Sequence, residues 1–235
     1  MLLPLLFACS ADPVALDSTP PADGGETPDT PEASAECPAA AGMMDGRTWT
    51  YTGDDYAQKL GTSIEATRTL SELGDGEYAL EESLLETFPD GKTLAEETTY
   101  TWRCADGALL YEGFSSEGTS SYSASYTYGW SFEPALTLLP ADAAEGAAWQ
   151  DESEASYWYN DPDAVAHYGT WESTNAIEGT ETVGDAWESL VTESIYVLDD
   201  GNYAIEGDDL RSWADDVGMT ADGHAFLVLT AVVDP

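Results

Sequence analysis

Hydrolytic chemistry needs an activated nucleophile with a base in reach, and this chain holds two imidazoles, His167 and His224. Neither sits in a catalytic motif. The run GFSSEG at 113–118 is not the G-x-S-x-G elbow and has no strand-turn-helix context. His167 lies in a strand-like run beside Tyr168, and His224 in the turn ADGHAF; both are settings of structural histidines. GDGEYA at 74–79 satisfies G-x-G-x-x-A in form, yet Asp75 and Glu77 would face a pyrophosphate, so a hairpin turn explains it better. The acidic clusters NDPD (160–163) and DDGN (199–202) fit no EF-hand loop, and no His or Cys pair has zinc-ligand spacing. No catalytic residue, metal or cofactor is therefore assigned, and a hydrolase stands as the third functional reading.

Charge narrows the partners. Asp and Glu number 46 against 6 Lys and Arg, a formal net charge of −40. Nucleic acid is excluded, because phosphate binding needs clustered cations. Anionic substrates and the bare surface of an anionic membrane are repelled as well. A solubilising acidic surface, adaptation to a saline medium and cation binding all remain open explanations.

The residues able to hold a ligand are aromatic. In SYSASYTYGWSF, Tyr122, Tyr126, Tyr128, Trp130 and Phe132 share one parity with Ala124, while Ser, Thr and Gly take the other. That is a half-buried strand, whose aromatic face either lines a ligand cavity or packs a core. Similar runs around Trp49, Trp102 and Trp171, with turns at Gly and Asp, predict an antiparallel, mainly β fold from about residue 42 onward. AFLVLTAVV reads as a closing strand inside the sheet, apolar on both faces. EYALEESLLETF carries both helical and alternating patterns.

An internal echo decides for strand. Gly46 and Trp49 match Gly146 and Trp149, Asp90-Gly91 matches Asp200-Gly201, and Trp102 matches Trp213. The second copy of the ambiguous segment, LVTESIYVL, is β-branched, so both copies are strands ending in Asp-Gly hairpin tips. Two related half-units, about 42–140 and 141–235, are expected within one domain.

Ahead of that domain, residues 1–8 are too short to span a bilayer. The stretch from Ser10 to Pro38 is rich in Pro and acid with no basic residue, which predicts a disordered tether. Leu6, Phe7, Ala8 and Cys9 resemble the bacterial lipobox, which implies cleavage before Cys9 and its acylation. Two or three acyl chains would anchor the chain stably. MLLPLLF lacks the basic opening of a signal peptide, so the true start is expected upstream. With Cys9 acylated, Cys37 and Cys104 remain; in an oxidising compartment they either pair or stay as two thiols.

Taken with GRTWTYTG, LLPADAAEGAAW and EGTETVGDAWESL, these features resemble a large group of bacterial lipoproteins. Some members are similar to the outer-membrane lipoprotein carrier superfamily, whose fold is a strongly curved antiparallel half-barrel over an apolar cavity. The resemblance implies a monomer anchored in the cell envelope, at the outer membrane or cell surface, with the bilayer as partner. It implies a non-enzymatic binding or surface module, or a carrier of an apolar small molecule or acyl chain. Residues 1–8 would be a signal remnant, 9–41 the acylated tether and 42–235 the β-rich domain.

Overall fold

Strict alternation along the chain, as in Ile64, Ala66, Arg68 and Leu70 buried between exposed Ser63, Glu65 and Thr67, makes two-faced strands that must close on a core. The computed structural model describes residues 36–53, 61–121, 123–163, 166–184, 186–201, 204–223 and 227–235, with the side chains of 123, 124, 166 and 167 left aside. Cys9, Tyr122, His224 and nearly all of the tether lie outside the described residues, as does the His167 side chain.

Among the described residues, a 3-10 turn (Ala39–Ala41) precedes twelve strands: β1 (Thr48–Gly53), β2 (Ser63–Gly74), β3 (Glu77–Thr87), β4 (Thr93–Ala105), β5 (Ala108–Ser120), β6 (Ser123–Leu139), β7 (Ala148–Tyr159), β8 (Ala166–Val183), β9 (Trp187–Asp199), β10 (Ala204–Ala214), β11 (Gly218–Asp222) and β12 (Leu227–Val233). The segment with two patterns is wholly strand, as β3. Asp90-Gly91 and Asp200-Gly201 both fall in hairpin turns, where the Gly91 N–H donates to the Phe88 carbonyl at 2.8 Å and the Gly201 N–H to Asp199 Oδ1 at 2.7 Å.

Each strand pairs antiparallel with its sequence neighbour, and β12 pairs with β1 from Thr48↔Val233 to Gly53↔Leu227. The sheet is thus a closed barrel, not the expected half-barrel. Closure has a physical reason: it gives the backbone groups of the two would-be edge strands partners and removes an open edge. β12 is also two-faced, unlike the reading of its sequence, with Leu227 and Leu229 buried and Val228 and Val233 exposed.

The matched glycines begin β1 and β7 with one bonding pattern. Gly46 N–H donates to Leu70 O and Leu70 N–H to Arg47 O; Gly146 N–H donates to Ile177 O and Ile177 N–H to Ala147 O. β6 and β7, on either side of the boundary expected near residue 140, share a ladder from Tyr128↔Tyr159 to Glu133↔Glu154. Past it, side chains bridge the strands: Ser153 Oγ donates to Pro134 O at 2.6 Å, and Trp149 Nε1 to Thr137 O at 2.9 Å.

One end of the barrel is stoppered by the chain that enters it. Ala40 and Ala41 are buried against Trp49, Trp102, Trp213 and Met219. The disulfide Cys37–Cys104, with Cα atoms 5.1 Å apart, ties this stopper to β4. Gly42 makes the turn out of it at φ +60°, where a Cβ would collide with the Val217–Gly218 backbone. Outward positions such as Glu81 and Ser83 on β3 or Glu152 and Glu154 on β7 are exposed and hydrophilic, with exposed apolar residues such as Leu85 and Ile195 set among them. A bilayer-spanning barrel needs the reverse, an apolar band facing out.

Candidate functional site

The interior changes character along the barrel axis: Leu70, Leu80, Trp102 and Trp213 are buried near the stopper, whereas the half-buried Tyr126, Tyr128 and Glu96 lie toward the far end. At the stoppered end, Trp49, Tyr51, Leu80 and Trp102 leave a gap only about one water wide beside Arg68. The Trp49 indole donates to Val217 O at 2.6 Å, and Trp102 packs on Trp213 with ring centres 6.3 Å apart.

A charged layer crosses the middle. Arg68 donates from Nε to Glu82 Oε2 at 2.6 Å and from a terminal nitrogen to Asp222 Oδ2 at 2.7 Å. Its guanidinium also lies 4.9 Å from the centre of the Tyr51 ring, and the Tyr100 hydroxyl donates to Glu82 Oε1 at 2.9 Å. Arg211 pairs with Asp209 and stands 4.0 Å from Asp222. Burial works against the Arg68 charge, but Glu82 and Asp222 outweigh it and raise its pKa. Burial also raises Tyr51, Tyr100 and Tyr111 well above the usual phenol range. Two guanidiniums facing three carboxylates in direct contact make this layer a structural lock.

Toward the far end, strand register assembles the aromatic row. Tyr126, Tyr128 and Trp130 on β6 stand opposite Gly118, Ser116 and Phe114 on β5, and these rings are half-buried. Phe132 is buried and joins a second core with Leu136, Ala155 and Leu198. The row therefore divides: Phe132 is core, Trp130 packs half-buried against that core, and Tyr126 and Tyr128 form a half-buried wall beyond it. Trp130 meets Tyr157 and Tyr168 at 5.0 and 4.9 Å, and Trp171 stacks on Tyr196 at 4.3 Å and 14°.

Two glycines let rings lie flat on this wall. Gly118 faces Tyr126 and Gly207 faces Tyr196, and a Cβ on either would fall within the partner's ring. Each tyrosine covers bare backbone and stays half-buried, and Tyr196 also carries Trp171 stacked against it. Glu96 on β4 accepts the Tyr126 hydroxyl at 2.8 Å and the Tyr128 hydroxyl at 3.0 Å. Burial, then the hydrogen bond to Glu96 and its charge, push Tyr126 up to about 12. Tyr128 is raised by burial and then by Glu96.

Of the residues singled out from sequence, Tyr126, Tyr128 and Trp130 come together here, and Cys37 and Cys104 lie at the opposite end. Sequence reading missed Glu96, Arg68, Glu82 and Asp222, although Arg68 and Glu82 each occupy an inward parity among apolar neighbours. Among the described residues no group of His, Cys, Asp or Glu could hold a metal ion. The NDPD residues and Asp199, Asp200 and Gly201 of DDGN are exposed, Asn202 lies outside the described residues, and the His167 backbone lies in β8.

No protein-family model matches the chain, and no curated protein matches it. Among solved structures, it is similar to a candidate lipoprotein from Parabacteroides distasonis ATCC 8503 at 12% identity, over 84% of this chain and 100% of that one, with a TM-score of 0.41. A likeness this loose fixes neither fold nor function.

Proposed function

We propose that the chain is a cell-envelope lipoprotein, anchored through acylated Cys9, whose barrel is a non-enzymatic module that binds a small molecule at its aromatic end. The observation that carries this is the asymmetry of the barrel. The chain enters at the end closed by Ala40, Ala41 and the disulfide, whereas the half-exposed rings of Tyr126, Tyr128 and Trp130 lie toward the other. Exposed aromatic surface facing inward, over an outer wall of Thr and Glu, is the signature of a binding concavity. An acyl chain suits the interior poorly, since it would have to cross the layer of Arg68, Glu82 and Asp222. That favours a compact ligand at the mouth over a lipid carrier. The paired state of those ionisable groups supports a structural role for them over a catalytic one.

Two measurements test the proposal. Labelling with a palmitate analogue is expected in the native chain and absent in Cys9→Ala; labelling that persists removes the anchor. Native mass spectrometry of the gently purified protein is expected to show a bound small molecule that is lost when Tyr126 and Trp130 are replaced by Ala. A bound species indifferent to both replacements would place the ligand elsewhere.

A further inference from the structure

We propose that the wall formed by Glu96, Phe114, Tyr126 and Tyr128 is a site for a small organic ammonium ion; this rests on the binding-module reading above and names its ligand class. The first ground is charge. The Glu96 carboxylate accepts hydrogen bonds from Tyr126 and Tyr128 and a longer one from Thr98 at 3.4 Å, all neutral donors. The cations among the described residues are committed elsewhere: Arg47 to Asp234, Arg68 to Glu82 and Asp222, Lys92 to Asp90, Arg103 to Glu112 and Arg211 to Asp209. A half-buried carboxylate inside the barrel thus faces the lumen with no cationic partner among those residues, in a chain of net charge −40.

The second ground is shape. Tyr126 lies flat over Gly118, and Tyr128 meets Phe114 edge-on at 5.5 Å and 88°. Because both tyrosine hydroxyls are turned to Glu96, the surface left for a ligand is ring face and not a set of oxygen ligands. Hard cations such as calcium require six to eight oxygens. A weakly hydrated ammonium instead gains from ring faces and one carboxylate together.

Choline is the probe, titrated calorimetrically into the full chain in low-salt buffer beside its neutral isostere 3,3-dimethylbutan-1-ol and calcium chloride. Choline is expected to saturate one site, with the isostere at least about tenfold weaker. Glu96→Gln should weaken choline by about the same factor and leave the isostere unchanged. Tyr126→Ala, which leaves the carboxylate in place, should also weaken choline while the circular dichroism spectrum is retained. Equal binding of the isostere, undiminished choline binding in both variants, or calcium displacing choline would each overturn the assignment. If choline fails while a neutral molecule co-purifies, only the ammonium class falls; if no small molecule binds the same sample, the binding module falls with it.

Discussion

Arg68 is 3% exposed, and its two carboxylate partners are 4% and 10% exposed, so each of the three charges leans on the others, with Arg211 at 4.0 Å from Asp222 as a further support. Arg68→Met would take from Glu82 and Asp222 the cation they share, leaving Asp222 the more distant Arg211 at 4.0 Å. Breaking such a group from one side costs about 3–5 kcal/mol, whereas replacing all three by well-packed apolar residues is close to neutral. Urea unfolding should show that loss for Arg68→Met and its recovery in Arg68→Met/Glu82→Leu/Asp222→Leu; equal loss in both variants would mean the cost lies in shape and not charge. The tyrosines of this layer set an alkaline limit. Burial raises Tyr51, Tyr100 and Tyr111 above 10 in the folded state, while an unfolded phenol titrates near 10. Above pH 10 the unfolded chain releases protons that the folded one keeps, so stability is full below that pH and falls as pH rises. Each such tyrosine contributes a slope of about 1.4 kcal/mol per pH unit in that window. Phenolate absorbance and circular dichroism should therefore change together; phenolate formation well before loss of structure would contradict the burial of these rings. Arg68 was legible in the sequence in one sense, for it stands at an apolar parity between Ala66 and Leu70. What alternation could not reveal is its partner Asp222, which lies 154 residues away and meets it only because β12 closes the barrel.

At the level of strands, the alternating patterns and Asp-Gly tips were legible because each arises from neighbours in sequence. Glycine in a strand was read only as punctuation, yet Gly207 and Gly118 create the flat rings of the interior wall. That role depends on cross-strand register, Gly207↔Tyr196 and Gly118↔Tyr126, which no single strand contains. Gly207→Ala puts a methyl group where the Tyr196 ring lies and should destabilise by about 1–3 kcal/mol, the usual cost of overpacking. In a Tyr196→Ala background the same change should be neutral or slightly stabilising, since alanine suits a strand better than glycine once the ring is gone. Thermal melts of the four proteins give the coupling directly. Additive effects would show that the ring does not rest on that backbone. The seam between β6 and β7 belongs to the same class of feature. There Asp151 accepts the Thr137 N–H at 3.2 Å and an Asn175 amide hydrogen bond at 3.1 Å, and burial outweighs these bonds to raise its pKa.

For the molecule as a whole, sequence patterns carried the antiparallel class but not the closure. Closure hinges on how the twists and bulges of twelve strands accumulate, and bulges such as those at Thr50/Tyr51 and Tyr111/Gly113 have no unique signature. The acidity, by contrast, was visible at once and has a consequence that only the closed barrel makes specific. Carboxylates occupy outward positions on strand after strand, as Glu65, Glu81, Glu97 and Glu117 do on β2 to β5, so repulsion is spread around one continuous wall. Unfolding lets those charges separate, and salt removes more of the repulsion from the compact state than from the expanded one. The Debye length falls from about 10 Å at 0.1 M to about 3 Å at 1 M, from well beyond to below the spacing of adjacent strands. The midpoint of thermal unfolding should therefore rise between 0.1 and 1 M NaCl, by about 2–4 °C for each kcal/mol of repulsion screened in a chain of this size. KCl should act equally, because screening does not distinguish the two ions, and calcium chloride at matched ionic strength should add nothing unless the wall also binds divalent ions. The Arg68 group is buried and little screened, so Arg68→Met should keep the same salt slope from a lower starting midpoint. A flat or falling midpoint in NaCl would show that the outer carboxylates cost the folded barrel nothing.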